Sequence, residues 1–143
     1  MTQHVSIPET GKPRVVIIGG GFAGLELAKS LCSAKVQVVL IDKNNYHTFQ
    51  PLLYQVATAA LEAESIVYPF RKMFDDQDNF YFRLAEVLSI DPAEMNVHTS
   101  IGLFRYDYLV IATGATTNFY GNEKIRQKAI AIKSIEDAQA LRN

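Results

Sequence analysis

The hexapeptide Gly19-Gly20-Gly21-Phe22-Ala23-Gly24, set between a β-branched run and an amphipathic segment, constrains this chain more than any other feature. Val15, Val16, Ile17 and Ile18 form an unbroken apolar run, the mark of a strand buried on both faces. After the glycines the period changes. Phe22, Leu25, Ala28, Leu31 and Cys32 share one side while Glu26, Lys29, Ser30 and Ser33 lie elsewhere, which predicts a helix over residues 21–34. A second apolar run occupies residues 36–41, completing a βαβ unit with a right-handed crossover. Each motif glycine has its own physical reason. Gly19 permits the tight turn, Gly21 lets a pyrophosphate approach the backbone, and Gly24 lets helix pack on strand. The helix start at Gly21, Phe22 and Ala23 presents amide donors and a partial positive charge to an anion, and no acid precedes Glu26 to oppose it. Asp42, with Lys43 beside it, closes the second run about 20 residues beyond the glycines, where an acid accepts ribose hydroxyls and disfavours a 2′-phosphate. A glycine-rich turn alone can serve packing, and Asp42 alone can be a solvated strand-end acid. Strand, helix and acid together point to a dinucleotide cradle.

Elsewhere the pattern is less regular. Residues 42–60 have no clean period and are rich in Asn, Tyr, His and Gln; loops of that length in a compact domain are functional or disordered, and the apolar content favours function. A helix is predicted over residues 65–74, with Pro69 tolerable near its first turn or as a kink. A bent strand is predicted over residues 79–90, then short antiparallel strands at 95–99 and 103–106, and a buried strand at 108–112. Ser134 and Asp137 resemble a capping box opening a helix that runs to Asn143 after barely two turns, so the chain is expected to be a fragment.

Charge and cysteine content remove several function classes. A net charge of -1 argues against a nucleic-acid surface. The single Cys32 excludes an intramolecular disulfide or a Cys-x-x-Cys motif and reads as a small buried hydrophobe. His4, His47 and His98 have no metal-ligand spacing, so no metal is expected. Residues 1–13 are set apart as a loose tail without the apolar core of a signal peptide. Residues 52–61 are far short of the ~20 a spanning helix needs, so the segment reads as soluble. At 143 residues the remainder, 14–143, makes one incomplete domain.

A simple NAD domain would continue with helix-linked parallel strands. Here the chain passes through an antiparallel meander, residues 85–106, into Tyr106-Asp107-Tyr108-Leu109-Val110-Ile111-Ala112-Thr113-Gly114. This resembles the FAD domain of the pyridine nucleotide-disulfide oxidoreductase superfamily, whose second fingerprint is an acid-aromatic pair, a buried strand and Ala-Thr-Gly. The resemblance narrows at Asn45-Tyr46-His47-Thr48-Phe49-Gln50-Pro51-Leu52-Leu53-Tyr54-Gln55-Val56-Ala57, which is similar to type II NADH dehydrogenases, the NADH:quinone oxidoreductases. Glu64-Ser65-Ile66-Val67-Tyr68-Pro69-Phe70-Arg71 and Glu136-Asp137-Ala138 fit as well, so it covers essentially residues 14–143.

The resemblance implies a truncated α/β, Rossmann-like FAD/NAD(P)-binding domain, a parallel sheet carrying a small antiparallel β-meander. It implies FAD as cofactor, with hydride passing from NADH to FAD and then to a quinone of the respiratory chain. Gln50, Pro51, Leu52 and Leu53 match the stretch near the isoalloxazine. Ala85, Glu86 and Val87 match the strand whose backbone meets the adenine. Ala112, Thr113 and Gly114 match the turn passing close to the cofactor. No side chain is assigned as catalytic, because the cofactor carries the redox chemistry. The family's NADH domain and its membrane-binding region, which places such enzymes peripherally on the cytoplasmic side of the inner membrane, lie beyond Asn143. The chain alone is therefore expected to be inactive, with Phe49, Leu52, Leu53 and Val56 left as an exposed patch that favours self-association. Two alternatives remain. One is a sulfide:quinone oxidoreductase or another FAD-dependent reductase of the superfamily, its further cysteines beyond this segment. The other is a non-enzymatic nucleotide-binding domain. Disulfide reductases are disfavoured, since they carry a cysteine pair just after the second strand.

Overall fold

The computed structural model describes residues 5–143; Met1 to His4, the start of the expected tail, lie outside the described residues. In chain order the elements are β1 (Arg14–Ile18), α1 (Phe22–Leu31), β2 (Gln37–Asp42), β3 (Tyr46–Thr48), a 3₁₀ turn (Gln50–Leu52) and α2 (Leu53–Ala57). A second 3₁₀ turn (Ala63–Ile66) leads to β4 (Val67–Pro69), α3 (Phe70–Met73), β5 (Phe80–Leu84) and β6 (Val87–Asp91). The chain closes with β7 (Asn96–Thr99), β8 (Gly102–Arg105), β9 (Tyr108–Ile111), α4 (Glu123–Lys128) and α5 (Ile135–Arg142). These residues divide into two compact units, one of residues 5–47 and 69–113, the other of residues 48–68 and 114–143.

The first unit is built on a parallel sheet of order β5-β2-β1-β9. Ile18 stands opposite Ile41 on one side and Ile111 on the other. Alternation along the strands sends side chains to two separate cores. Val15, Ile17, Val38 and Leu40 meet Leu25 and Ala28 of α1 together with Phe70, Phe74 and Phe82. Val16, Ile18, Val39 and Ile41 meet Ala85, Val97, Phe104 and Tyr106. A sheet covered on both faces needs apolar residues at every position, which is why β1 and β2 read as unbroken hydrophobic runs. The cover on the second face is the antiparallel sheet β6-β7-β8, the expected meander.

Several expectations are corrected. The helix expected over residues 65–74 is a 3₁₀ turn, a short strand and a single turn of helix. Pro69 is the reason: it disfavours the helical region for Tyr68, and itself sits extended (φ -64°, ψ 131°) as the residue capping α3. The bent strand of residues 79–90 is two strands in different sheets, β5 pairing with β2 and β6 with β7. The strand expected to be buried at 108–112 is an edge strand, with Tyr108 62% and Ile111 63% exposed. From Val5 onward the tail is not loose. Val5 N–H donates to Leu103 O at 3.0 Å, Ile7 is buried in the meander-side core, and Pro8 O accepts from Gln37 Nε2 at 2.7 Å. Gln37 is itself almost fully buried, so its amide requires partners, and the tail supplies one of them.

In the second unit Leu53 and Val56 of α2 form a core with Ile66 and Ala138. The capping box of α5 is present: Ser134 Oγ accepts from Asp137 N–H at 3.1 Å, and Asp137 Oδ2 from Ser134 N–H at 3.0 Å. Arg142 grips both carboxylate oxygens of Glu62, each at 3.0 Å. The expected exposed patch does not form as such. Leu53 is 2% and Val56 0% exposed because α5 covers them, leaving Phe49 at 45%. Among the described residues no helix is long and apolar enough to cross a membrane.

Candidate functional site

The site lies where β1, β2 and β9 end together, the carboxyl edge at which open α/β sheets take their ligands. Ile18 leads into Gly19, whose N–H donates to Ile41 O at 2.9 Å and whose φ of +100° only glycine adopts without strain. There is a second reason for glycine here. A Cβ on Gly19 would stand 2.5 Å from Ala112 O and 3.1 Å from Thr113 Cα. The two fingerprints of the sequence are thus one piece of structure, with the Ala112-Thr113 backbone lying against the first turn of the cradle. At Gly24 a Cβ would overlap the carbonyl oxygen of Gly19, so the helix sits tight on the turn that precedes it.

Gly21 differs from its neighbours. It caps α1 with φ -68°, which any residue can adopt, and a Cβ there would meet nothing within 4 Å. Its glycine answers no need of the folded chain. The open space over Gly21 is what an approaching phosphate would use, and the helical ladder of α1 begins with Leu25 N–H donating to Gly21 O at 2.9 Å, so the helix start points amide donors to the same side. No acidic side chain stands in the first turn. The residues present therefore fit the pyrophosphate of a dinucleotide.

Asp42 does more than the sequence suggested. Its Oδ2 accepts from Gly20 N–H at 2.6 Å and its Oδ1 from Asn44 N–H at 2.8 Å, so it fixes the glycine turn from the side. A carboxylate offers about four lone-pair directions, which leaves capacity for ribose hydroxyls. Lys43 next to it is exposed. Asp42 O accepts from Ala85 N–H at 2.9 Å, which carries the segment leading to Val87 to the same corner. There Glu86 N–H is already taken by Ser100 Oγ at 3.1 Å.

Two cradle contacts escaped the sequence. His47, 7% exposed, places Nδ1 2.9 Å from Gly20 O and packs edge-to-face on Phe22, ring centroids 5.2 Å apart. Phe70 lies against Gly20 so closely that a Cβ there would overlap its ring. No spacing rule links these residues to the glycines; the only signal was that His47 lies within the loop marked as functional, while Phe70 fell in the expected helix of residues 65–74. Asp107 of the second fingerprint belongs at the opposite end of the sheet, where Oδ2 accepts Arg14 N–H at 2.6 Å and its own N–H returns to Arg14 O.

The remaining expected residues fall in the other unit. Gln50 and Pro51 are exposed in the 3₁₀ turn, Leu52 is half-buried, and Leu53 faces the core of that unit. Gly114 opens its second segment. Cys32 is half-buried at the far end of α1, its Sγ 3.3 Å from Ala28 O, and burial together with the charge of Asp76 pushes its thiol pKa up. Among the described residues no cluster of potential metal ligands occurs.

Residues 13–143 match the family of pyridine nucleotide-disulphide oxidoreductases. Over 136 residues the chain is 41% identical to the type II NADH:quinone oxidoreductase NdhA of Mycobacterium tuberculosis, covering 92% of this chain and 29% of that protein. It is 35% identical over 150 residues to the external alternative NAD(P)H-ubiquinone oxidoreductase B2, mitochondrial, of Arabidopsis thaliana, covering 96% of this chain and 26% of that protein. Among solved structures it resembles NDH2 from Plasmodium falciparum in complex with NADH, at a TM-score of 0.83 and 25% identity over 92% of this chain and 28% of that one. It also resembles the sulfide:quinone oxidoreductase of Aquifex aeolicus, at a TM-score of 0.76 and 30% identity over 91% of this chain and 30% of that one. The chain spans less than a third of the length of these relatives.

Proposed function

The chain belongs to the pyridine nucleotide-disulphide oxidoreductase family, and from that membership we propose that it is the FAD-holding part of an NADH:quinone oxidoreductase. The observation that carries the proposal is the contrast within the cradle. Gly19 and Gly24 are glycines because protein backbone fills the space beside them, whereas Gly21 is a glycine facing open space. Amides of Gly21, Phe22 and Ala23 at the start of α1 hold the pyrophosphate, and the helix end favours its charge. Asp42 orients the adenosine ribose while holding Gly20 in place, with Lys43 and the backbone at Val87 beside it. The Ala112-Thr113-Gly114 turn lets the cofactor pass close to backbone. Gln50, Pro51, Leu52 and Leu53 are proposed to serve the flavin half. Leu53 does so through its backbone, since its side chain is buried.

Bound FAD would supply the redox chemistry, taking reducing equivalents from NADH and passing them to a quinone. This chain's residues bind and orient the cofactor, and none of them is proposed as an acid, base or nucleophile. NADH and quinone recognition, and peripheral attachment on the cytoplasmic side of the inner membrane, are proposed for the enzyme as a whole and not for the residues of this chain. The chain alone is accordingly proposed not to turn over.

The likeness to the Aquifex aeolicus enzyme supports a second reading, in which sulfide is the electron donor. Quinone reduction by the enzyme containing this chain, assayed with NADH and with sulfide in turn, separates the two. Turnover with NADH alone is expected. Turnover with sulfide alone would overturn the first reading in favour of the second.

A further inference from the structure

Resting on the reading of the cradle as an ADP-binding turn, we infer that His47 is a positioning residue that aims the phosphate-facing amide of Gly21. Glycine has the freest backbone of any residue, so three glycines in succession would allow the intervening peptides to rotate. The structure removes that freedom one peptide at a time. Gly19 N–H is held by Ile41 O at 2.9 Å and Gly20 N–H by Asp42 Oδ2 at 2.6 Å. The Gly20–Gly21 peptide is held from its carbonyl side, where Gly20 O meets Nδ1 of His47 at 2.9 Å.

A carbonyl oxygen can only accept, so Nδ1 must carry the proton. In a planar trans peptide the C=O and the following N–H point in opposite directions. Fixing Gly20 O towards His47 therefore turns Gly21 N–H away from it, out into the open space of the cradle. Were the peptide to rotate, a carbonyl lone pair would face the incoming anion instead of an amide hydrogen. The edge-to-face ring of Phe22 and the burial of His47 keep water from competing for the bond. Phe70 packs closely against Gly20 and leaves the turn little room to move on that side.

The test uses the isotope-labelled chain, with ADP as the probe. In the ligand-free chain the His47 ring nitrogens are expected to show the Nδ1-protonated form; a ring protonated on Nε2 alone would overturn the inference whatever ADP does. His47→Asn keeps an amide N–H where Nδ1–H stood, and His47→Leu fills the space without a donor. His47→Leu is expected to weaken ADP binding about tenfold, as for loss of one well-placed hydrogen bond, while His47→Asn stays within about threefold of the unsubstituted chain. Equal binding by His47→Leu and the unsubstituted chain, or an equal loss in both folded variants, would overturn it. If the unsubstituted chain shows no ADP binding, the cradle reading itself fails, and the ring tautomer still decides whether the clamp exists.

Discussion

Gly19 and Gly21 stand two residues apart in one turn, yet substituting each by alanine should have opposite consequences. At Gly19 the added methyl meets Ala112 O at 2.5 Å, and the alanine must adopt φ +100°. Strained backbone costs about 1–3 kcal/mol and overpacking a similar amount, so Gly19→Ala should lose roughly 2–6 kcal/mol of stability. For a chain of this size that lowers the melting temperature by roughly 5–20 °C. At Gly21 the methyl meets nothing, and φ -68° is unstrained. Alanine there loses about 0.5–1 kcal/mol as a cap and regains about 0.4–1 kcal/mol by restricting the unfolded chain, leaving stability nearly unchanged. Its methyl does occupy the phosphate's path. Displacing the anion from about two charge-assisted hydrogen bonds, each worth roughly 1.5–3 kcal/mol, should weaken ADP or FAD binding about 100-fold or more. Thermal unfolding by circular dichroism and ligand titration, run on both variants, give the two readouts. A Gly21→Ala chain that binds as well as the unsubstituted one would refute the placement of the pyrophosphate. A Gly19→Ala chain as stable as Gly21→Ala would refute the rigid packing of the two fingerprints.

Further outcomes follow from other contacts. Asp42→Ala removes the acceptor of Gly20 N–H and the proposed ribose contact, so ADP binding should weaken by about 1.5–3 kcal/mol, read by calorimetric titration; an unchanged affinity would leave Asp42 no role in binding. Leu53→Ala should cost about 2–5 kcal/mol in denaturant unfolding, because its side chain lies in the core of its unit and not in an exposed patch. Glu62 accepts a two-pronged bond from Arg142, which holds its carboxyl pKa below the ordinary glutamate range. A lowered folded pKa means the contribution is present above the unfolded value and is lost as pH falls through the folded one. The melting temperatures of the unsubstituted and Glu62→Gln chains should therefore differ at neutral pH and converge on acidification; a difference that persists in acid would assign it to packing.

What was legible in the sequence was what backbone geometry dictates. The order of strand, glycine turn, helix and acid carries its own spacing, and Val15 to Ile18 announce burial on two faces because sheet and covers require it at every position. The tertiary supports of that turn were not legible. His47 and Phe70 reach Gly20 from segments with no fixed separation from it, and nothing in a linear pattern distinguishes a histidine on a carbonyl from one in solvent. The helix expected across Pro69 does not form, because the restriction proline places on the residue before it outweighs the apolar spacing. Leu53 and Val56 read as exposed only because their cover, α5, comes some eighty residues later. The short α4 buries nothing, so no periodicity announced it.

The first glycine turn is proposed to hold the ADP half of FAD. Titrating FAD into the labelled chain while following backbone amide shifts tests it most directly. Shifts concentrated at Gly21, Phe22, Ala23 and Asp42, reproduced by ADP alone, are the expected result. Shifts confined to the shallow cleft between Thr116 and Arg126, or no shift at those four residues at any FAD concentration, would contradict it.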